Sequence, residues 1–125
     1  MARVTGIGGV FFKAENPKEL QAWYVEKLGL GPGEDGYVVI QWGGEGDRGS
    51  TVWSPFPSDT DYMGPVENHW MVNYRVDDLD GLLAKLRSEG GPVEDETMEA
   101  FNGKFAWCWD PEGNKVELWE PAPGM

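Results

Sequence analysis

Asn73 and Arg75 stand at alternate positions of one strand-like segment, as Glu117 and Trp119 do in another, so each pair projects to one face. A guanidinium on such a face could pin a carboxylate or phosphate bidentately. Glu117 could accept a ligand's donor, pair with Arg75, or supply one bond to a metal. The same alternation sends Gly9, Phe11 and Met71 to that side, with His69 one strand period before Met71. Nucleophilic chemistry has little to draw on. Cys108 lies between Trp107 and Trp109 with no basic neighbour to lower its pKa, and His69 is the single histidine of the chain. Asp77 and Asp78 look like a catalytic pair, yet they sit where a helix begins, and capping accounts for them. The sequence holds no P-loop, no dinucleotide glycine fingerprint in context and no CxxC.

An internal repeat sets these positions. Ile7 to Gly29 overlays His69 to Gly91 at a constant offset of 62 residues, with Val10 on Val72, Leu20 on Leu82 and Gly29 on Gly91. Each copy reads as a strand, an acidic or amide cap and an amphipathic helix closed by glycine. In the first copy Asn16 is the N-cap and Pro17 the first helical residue, with Leu20, Trp23, Tyr24 and Leu28 as the buried stripe. In the second copy Asp78 caps, and Leu79, Leu82, Leu83 and Leu86 form the stripe. Strands follow at Tyr37–Trp42 and Ser50–Phe56, joined by the glycine-rich turn Gly43–Gly49, and a short eroded one is expected near Leu30–Glu34. Their counterparts are Val93–Glu99, Lys104–Trp109 and Lys115–Glu120, with Asp110–Asn114 as the turn. Trp53-Ser-Pro55 falls on Trp119-Glu-Pro121 at an offset of 66, which places Thr51 opposite Glu117 and makes Trp53 and Trp119 matching walls.

This predicts an α+β fold of two βαβββ modules forming a curved mixed sheet around a cleft, helices outside. Module one covers about 4–56, a polar linker about 57–68 and module two about 69–121 of a single domain spanning 1–125. The cleft side is expected to carry Phe11, Thr51, Trp53, Met71, Asn73, Arg75, Glu117 and Trp119. Val10, Phe12, Val72, Tyr74, Val116 and Leu118 are expected to face the helices.

Composition narrows the partners. A net charge of −12 opposes nucleic acid and anionic membranes and would suit a cationic ligand, although acids also serve solubility. No apolar run approaches the roughly 20 residues that span a bilayer. One cysteine and no recognisable signal peptide point to the cytoplasm.

The segments Asn16-Pro-Lys-Glu-Leu20, Trp23-Tyr24, Leu28-Gly-Leu30, Tyr74-Arg-Val-Asp-Asp-Leu79 and Asp110-Pro-Glu-Gly-Asn-Lys-Val-Glu-Leu-Trp119 resemble the vicinal-oxygen-chelate superfamily of glyoxalases, bleomycin-resistance proteins and ring-cleaving dioxygenases. The resemblance implies the paired βαβββ fold and a homodimer. In its metal-dependent members the ligand positions would fall on Gly9, about Thr51, Met71 and Glu117, and only Glu117 is an ordinary ligand. Dioxygenase chemistry needs two histidines and a carboxylate, and even a dimer sharing its sites supplies one His69 per site. Three readings follow. The preferred one is a bleomycin-resistance-like protein that holds a small organic molecule in an aromatic, acidic cleft with no metal or other cofactor. The alternative is a glyoxalase-type lyase or isomerase in which Glu117, the best catalytic candidate, and His69 hold one divalent ion such as nickel or zinc. A third is a subunit whose cavity is filled by its own tryptophans.

Overall fold

The computed structural model describes residues 2–31, 33, 36–42 and 49–125. Residues 43–48 of the expected turn Gly43–Gly49, and positions 32 and 34 of the eroded strand expected near Leu30–Glu34, lie outside the described residues; the described positions 30, 31 and 33 form no strand. In chain order the elements are β1 (Val4–Ala14), α1 (Pro17–Leu28), β2 (Val38–Gln41), β3 (Ser50–Pro57), β4 (Trp70–Val76), α2 (Leu79–Ser88), β5 (Met98–Ala100), β6 (Gly103–Trp109) and β7 (Lys115–Pro121). The order is β-α-β-β followed by β-α-β-β-β. The chain divides into two compact units, residues 9–71 and residues 1–8 with 72–125, so β1 gives its first residues to one and its last to the other. No described helix is long and apolar enough to cross a membrane.

In the unit 9–71 the strands run β2-β3-β1, with β1 parallel to β3 (Gly9 to Val52, Phe11 to Ser54) and β2 antiparallel to β3 (Val38 to Trp53). Trp53 packs against Phe12 and against Tyr24 of α1, at ring-centre distances of 5.3 and 4.8 Å. The opposite face carries Phe11 and Phe56, 5.4 Å apart, and Tyr62 stacked on Phe56. Trp53 therefore faces the helix, and Thr51, two residues back, shares that face. This corrects the expectation that both belong with Glu117. Phe11 pairs with Ser54 as Asn73 pairs with Glu117, so Ser54, not Thr51, is the counterpart of Glu117. The apparent alignment of the two Trp-X-Pro segments is out by three residues, and an odd shift turns every side chain to the other face.

Helix α1 also departs from expectation. Pro17 opens it, but the Asn16 side chain makes no capping hydrogen bond; the Asn16 carbonyl accepts from the Leu20 N–H at 2.9 Å. None of its residues is buried, and Trp23 and Leu28 are 49% and 64% exposed. Gly29 closes it at φ 71, a left-handed conformation that costs glycine little. The segment 57–68 is a series of turns (Thr60 N–H to Pro57, Gly64 to Asp61, Asn68 to Pro65) wrapped about the fully buried Met63.

In the unit 1–8 with 72–125 the order is β4-β7-β6-β5, with β4 parallel to β7 and the remaining pairs antiparallel. The even-numbered residues Tyr74, Val76, Ala106, Cys108, Val116 and Leu118 pack with Leu79, Leu82, Leu83 and Leu86 of α2, as the alternation predicts. Val93 makes an isolated bridge to Cys108, and β5 begins only at Met98, in place of one continuous strand over Val93–Glu99. Asp78 caps α2 through its carboxylate, which accepts the Gly81 N–H at 3.0 Å, and Glu120 accepts the Leu79 N–H at 2.8 Å. Replacing Asp78 with alanine removes one of these acceptors and is expected to cost about 1 kcal/mol, read as a fall in the urea midpoint at unchanged slope.

Candidate functional site

The face of the second unit opposite α2 holds the chemistry. On β7 the odd-numbered residues are Lys115, Glu117 and Trp119; beside them on β6 lie Trp109, Trp107 and Phe105, and on β4 Asn73 and Arg75. The hairpin Asp110–Asn114 fixes this register. The Asp110 side chain accepts the N–H groups of Glu112 and Asn114, each at 2.9 Å, and the Gly113 N–H returns to the Asp110 carbonyl. That turn sets Trp109 against Lys115 and so brings Trp107 against Glu117.

Glu117 is 3% exposed on a strand with neighbours on both sides. The Asn73 amide donates to its Oε1 at 2.6 Å, and the Trp107 indole N–H donates to its Oε2 at 2.9 Å. A buried carboxylate without such donors would carry a desolvation cost of several kcal/mol. Asn73, 2% exposed, is oriented in turn by the carboxylate: its amide nitrogen faces Glu117, and its Oδ1 is buried with no hydrogen-bond partner. Next along the face Trp119 is 2% exposed, stacked parallel on Phe105 at 6.0 Å, and donates its indole N–H to the Asn102 carbonyl at 2.8 Å. The Arg75 guanidinium lies 5.1 Å from the Trp119 ring centre, within cation–π range, and burial lowers its pKa from the ordinary arginine value.

Of the residues singled out from sequence, Asn73, Arg75, Glu117 and Trp119 come together here. Phe11, Thr51, Trp53, Met71 and His69 belong to the unit 9–71. There Phe11 joins the Phe56 cluster, Met71 is fully buried, and the Thr51 hydroxyl accepts the Trp42 indole N–H at 2.7 Å. His69 is exposed just before β4, its carbonyl accepting the Lys13 N–H at 2.9 Å. Ser54, the counterpart of Glu117, is 3% exposed and donates its hydroxyl to the Gly36 carbonyl at 3.0 Å.

Trp107 was not among the sequence candidates. Counting back from the Asp110 turn finds it, because equal steps along the two hairpin arms lead from Trp109 and Lys115 to Trp107 and Glu117. Gly8 was also missed. A Cβ there would run into Asn73 Oδ1 and lie 2.9 Å from Trp119 Cε3 and 3.1 Å from Arg75 Cγ. An open depression of about 630 Å³ at the start of α1, with Glu15, Glu19, Trp23 and Tyr24 in its lining, has only exposed or half-exposed walls.

A divalent metal of the glyoxalase kind does not fit this donor set. Among the described residues no group of three or more His, Cys, Asp or Glu side chains could hold an ion. Both Glu117 oxygens already accept hydrogen bonds, from an amide and an indole that are not metal ligands. Cys108 lies on the α2 face, where burial, and secondarily Asp110, pushes its thiol pKa up from 9.0.

The model for the Glyoxalase/Bleomycin resistance protein/Dioxygenase superfamily matches residues 7–118, and the chain belongs to that superfamily. It is 35% identical over 88 residues to "Putative glyoxylase CFP32" of Mycobacterium tuberculosis, covering 70% of this chain and 31% of that protein. To the anthracycline biosynthesis protein DauV of Streptomyces sp. strain C5 it is 28% identical over 135 residues, covering 98% of this chain and 46% of that one. The chain thus spans about a third to a half of the length of these relatives. Among solved structures, a variant of Streptomyces coelicolor methylmalonyl-CoA epimerase in complex with 2-nitronate-propionyl-CoA matches with a TM-score of 0.70 at 14% identity, over 98% of this chain and 99% of that one. At that identity the likeness is one of fold, and the fold is the expected glyoxalase/bleomycin resistance type.

Two outcomes test the local geometry. Gly8→Ala is expected to displace Asn73 and destabilise the protein by about 1–3 kcal/mol in urea unfolding, with a change in tryptophan emission as the Asn73–Glu117 bond loosens. Cys108 in the folded protein is expected to react with an aromatic disulfide reagent well below the rate of the urea-unfolded chain at pH 8; equal rates would contradict the shielding of its half-buried thiol.

Proposed function

We propose that this chain binds a small organic molecule on the sheet face carrying Asn73, Arg75, Trp107, Glu117 and Trp119, and that it does so without a divalent metal. The supporting observation is the buried Glu117 carboxylate, with one oxygen on the Asn73 amide and the other on the Trp107 indole. A carboxylate held in this way keeps a fixed orientation and a negative charge on the ligand face, and the indole rings around it supply flat apolar walls. Arg75, half-buried on the same face, adds a cation for an acidic group of the ligand. Recognition by a pre-oriented acceptor between aromatic walls needs no Lewis acid.

The relatives' names, a glyoxylase and an anthracycline biosynthesis protein, are consistent with small organic partners. A homodimer in the cytoplasm is part of the same proposal. Members of the superfamily form dimers, and the exposed Val39 and Ile40 of β2 offer apolar surface that a second copy could cover. The excess of acids argues against nucleic acid as a partner.

Elemental analysis of the untagged protein, after incubation with nickel, zinc, manganese and ferrous salts and desalting, is expected to find no ion at stoichiometric level. A ligand found by tryptophan quenching in a metal-free buffer should then bind Glu117→Gln about 10–100-fold more weakly, the loss of one hydrogen bond to a charged group. One ion retained per chain and lost in Glu117→Gln would overturn the proposal in favour of a metal-dependent lyase or isomerase.

A further inference from the structure

Lys115 is a nearly buried lysine, its side chain only 11% exposed. It pairs with Trp109 across the β6–β7 hairpin, and its ammonium lies 5.8 Å from the Trp107 ring centre, 6.0 Å from that of Trp109 and 3.5 Å from Glu94 Oε1. A lysine on a sheet ordinarily lays its stem on apolar surface and keeps its head in water. Here the head is drawn inward. Two indole faces and a carboxylate around one ammonium are the components from which proteins build recognition sites for organic cations.

The walls of this cage are held by main chain and do not need the lysine. The Glu94 N–H donates to the Trp107 carbonyl at 2.9 Å, and the Trp109 N–H donates to the Pro92 carbonyl at 3.1 Å. Trp107 is pinned further by its indole bond to Glu117.

We propose that Trp107, Trp109 and Glu94 form a binding site for an organic ammonium group, which the chain keeps filled with its own Lys115 until a ligand displaces it. The Lys115 stem is flexible and its ammonium rehydrates on leaving, so displacement exchanges one cation–π and ion-pair set for another. Glu94, with 36% of its side chain exposed, and the half-buried Trp109 give entry from solvent. A net charge of −12 raises the local concentration of cations. Trp107 is a wall of both sites, but Lys115, Trp109 and Glu94 lie outside the group proposed to hold a ligand at Glu117, so variants at these three test the ammonium site separately.

The test is titration with n-propylammonium chloride, which carries the atoms that Lys115→Ala removes, with sodium chloride and n-propanol as controls. Saturable tryptophan quenching is expected in the wild type, about ten-fold or more tighter in Lys115→Ala, and absent when Glu94→Gln and Trp109→Leu are added. A folded Lys115→Ala that shows no saturable response, or the same response to n-propanol, overturns the site. Should that variant not fold, the wild-type Lys115 ε-methylene resonance decides: ring currents of two indoles place it upfield, and n-propylammonium should move it to the free-lysine position. A resonance that stays upfield at saturating cation overturns displacement.

Discussion

The second half of this protein is organised around a carboxylate that has been taken out of water. Glu117 sits on a strand flanked on both sides, where an ionised side chain is tolerated only with its oxygens satisfied. Asn73 from the parallel neighbour and Trp107 from the antiparallel one satisfy them. This arrangement depends on register, because a slip of β4 or β6 by one residue would turn a donor away and leave a buried acceptor unpaired. Gly8 belongs to the same constraint, since the Asn73 side chain occupies the space a Cβ would take.

Strand alternation then separates two environments in this unit. Even-numbered positions feed the aliphatic core under α2, and odd-numbered positions collect four aromatic rings, two cations, a carboxylate and an amide. Such a face is too polar to be explained as simple packing. Its indoles are used twice, as apolar walls and as donors or cation acceptors: Trp119 carries Arg75, and Trp107 serves both Glu117 and Lys115. In the unit 9–71 the positions corresponding to Asn73 and Glu117 are Phe11 and Ser54, and the face has become an aromatic cluster with Phe56 and Tyr62. The two repeats keep a common backbone plan and have diverged in what they present, which is how one fold comes to serve many ligands.

The same divergence appears in the helices. α2 has a carboxylate cap, a leucine stripe and two fully or nearly buried leucines, and it behaves as its sequence suggests. α1 has the residues for a cap and a stripe but makes no side-chain cap and buries nothing. Tyr24 rests on Trp53, while Trp23 and Leu28 stand in solvent.

What the sequence alone determined was the periodic part. The repeat, most of the strand and helix order, the α2 core, and the sharing of one strand face by Asn73 with Arg75 and by Glu117 with Trp119 all follow from spacing along the chain. Spacing within one strand settles which residues share a face. It does not settle which residues of different strands meet, since that depends on register across hydrogen-bonded neighbours. Tertiary structure therefore decided that Glu117 is bonded by Asn73 and Trp107, that Ser54 and not Thr51 is its counterpart, that Trp53 lies under α1, and that Lys115 is drawn between two indoles. A matched tripeptide shifted by an odd number of residues looks the same in sequence, and in a pleated sheet it faces the other way.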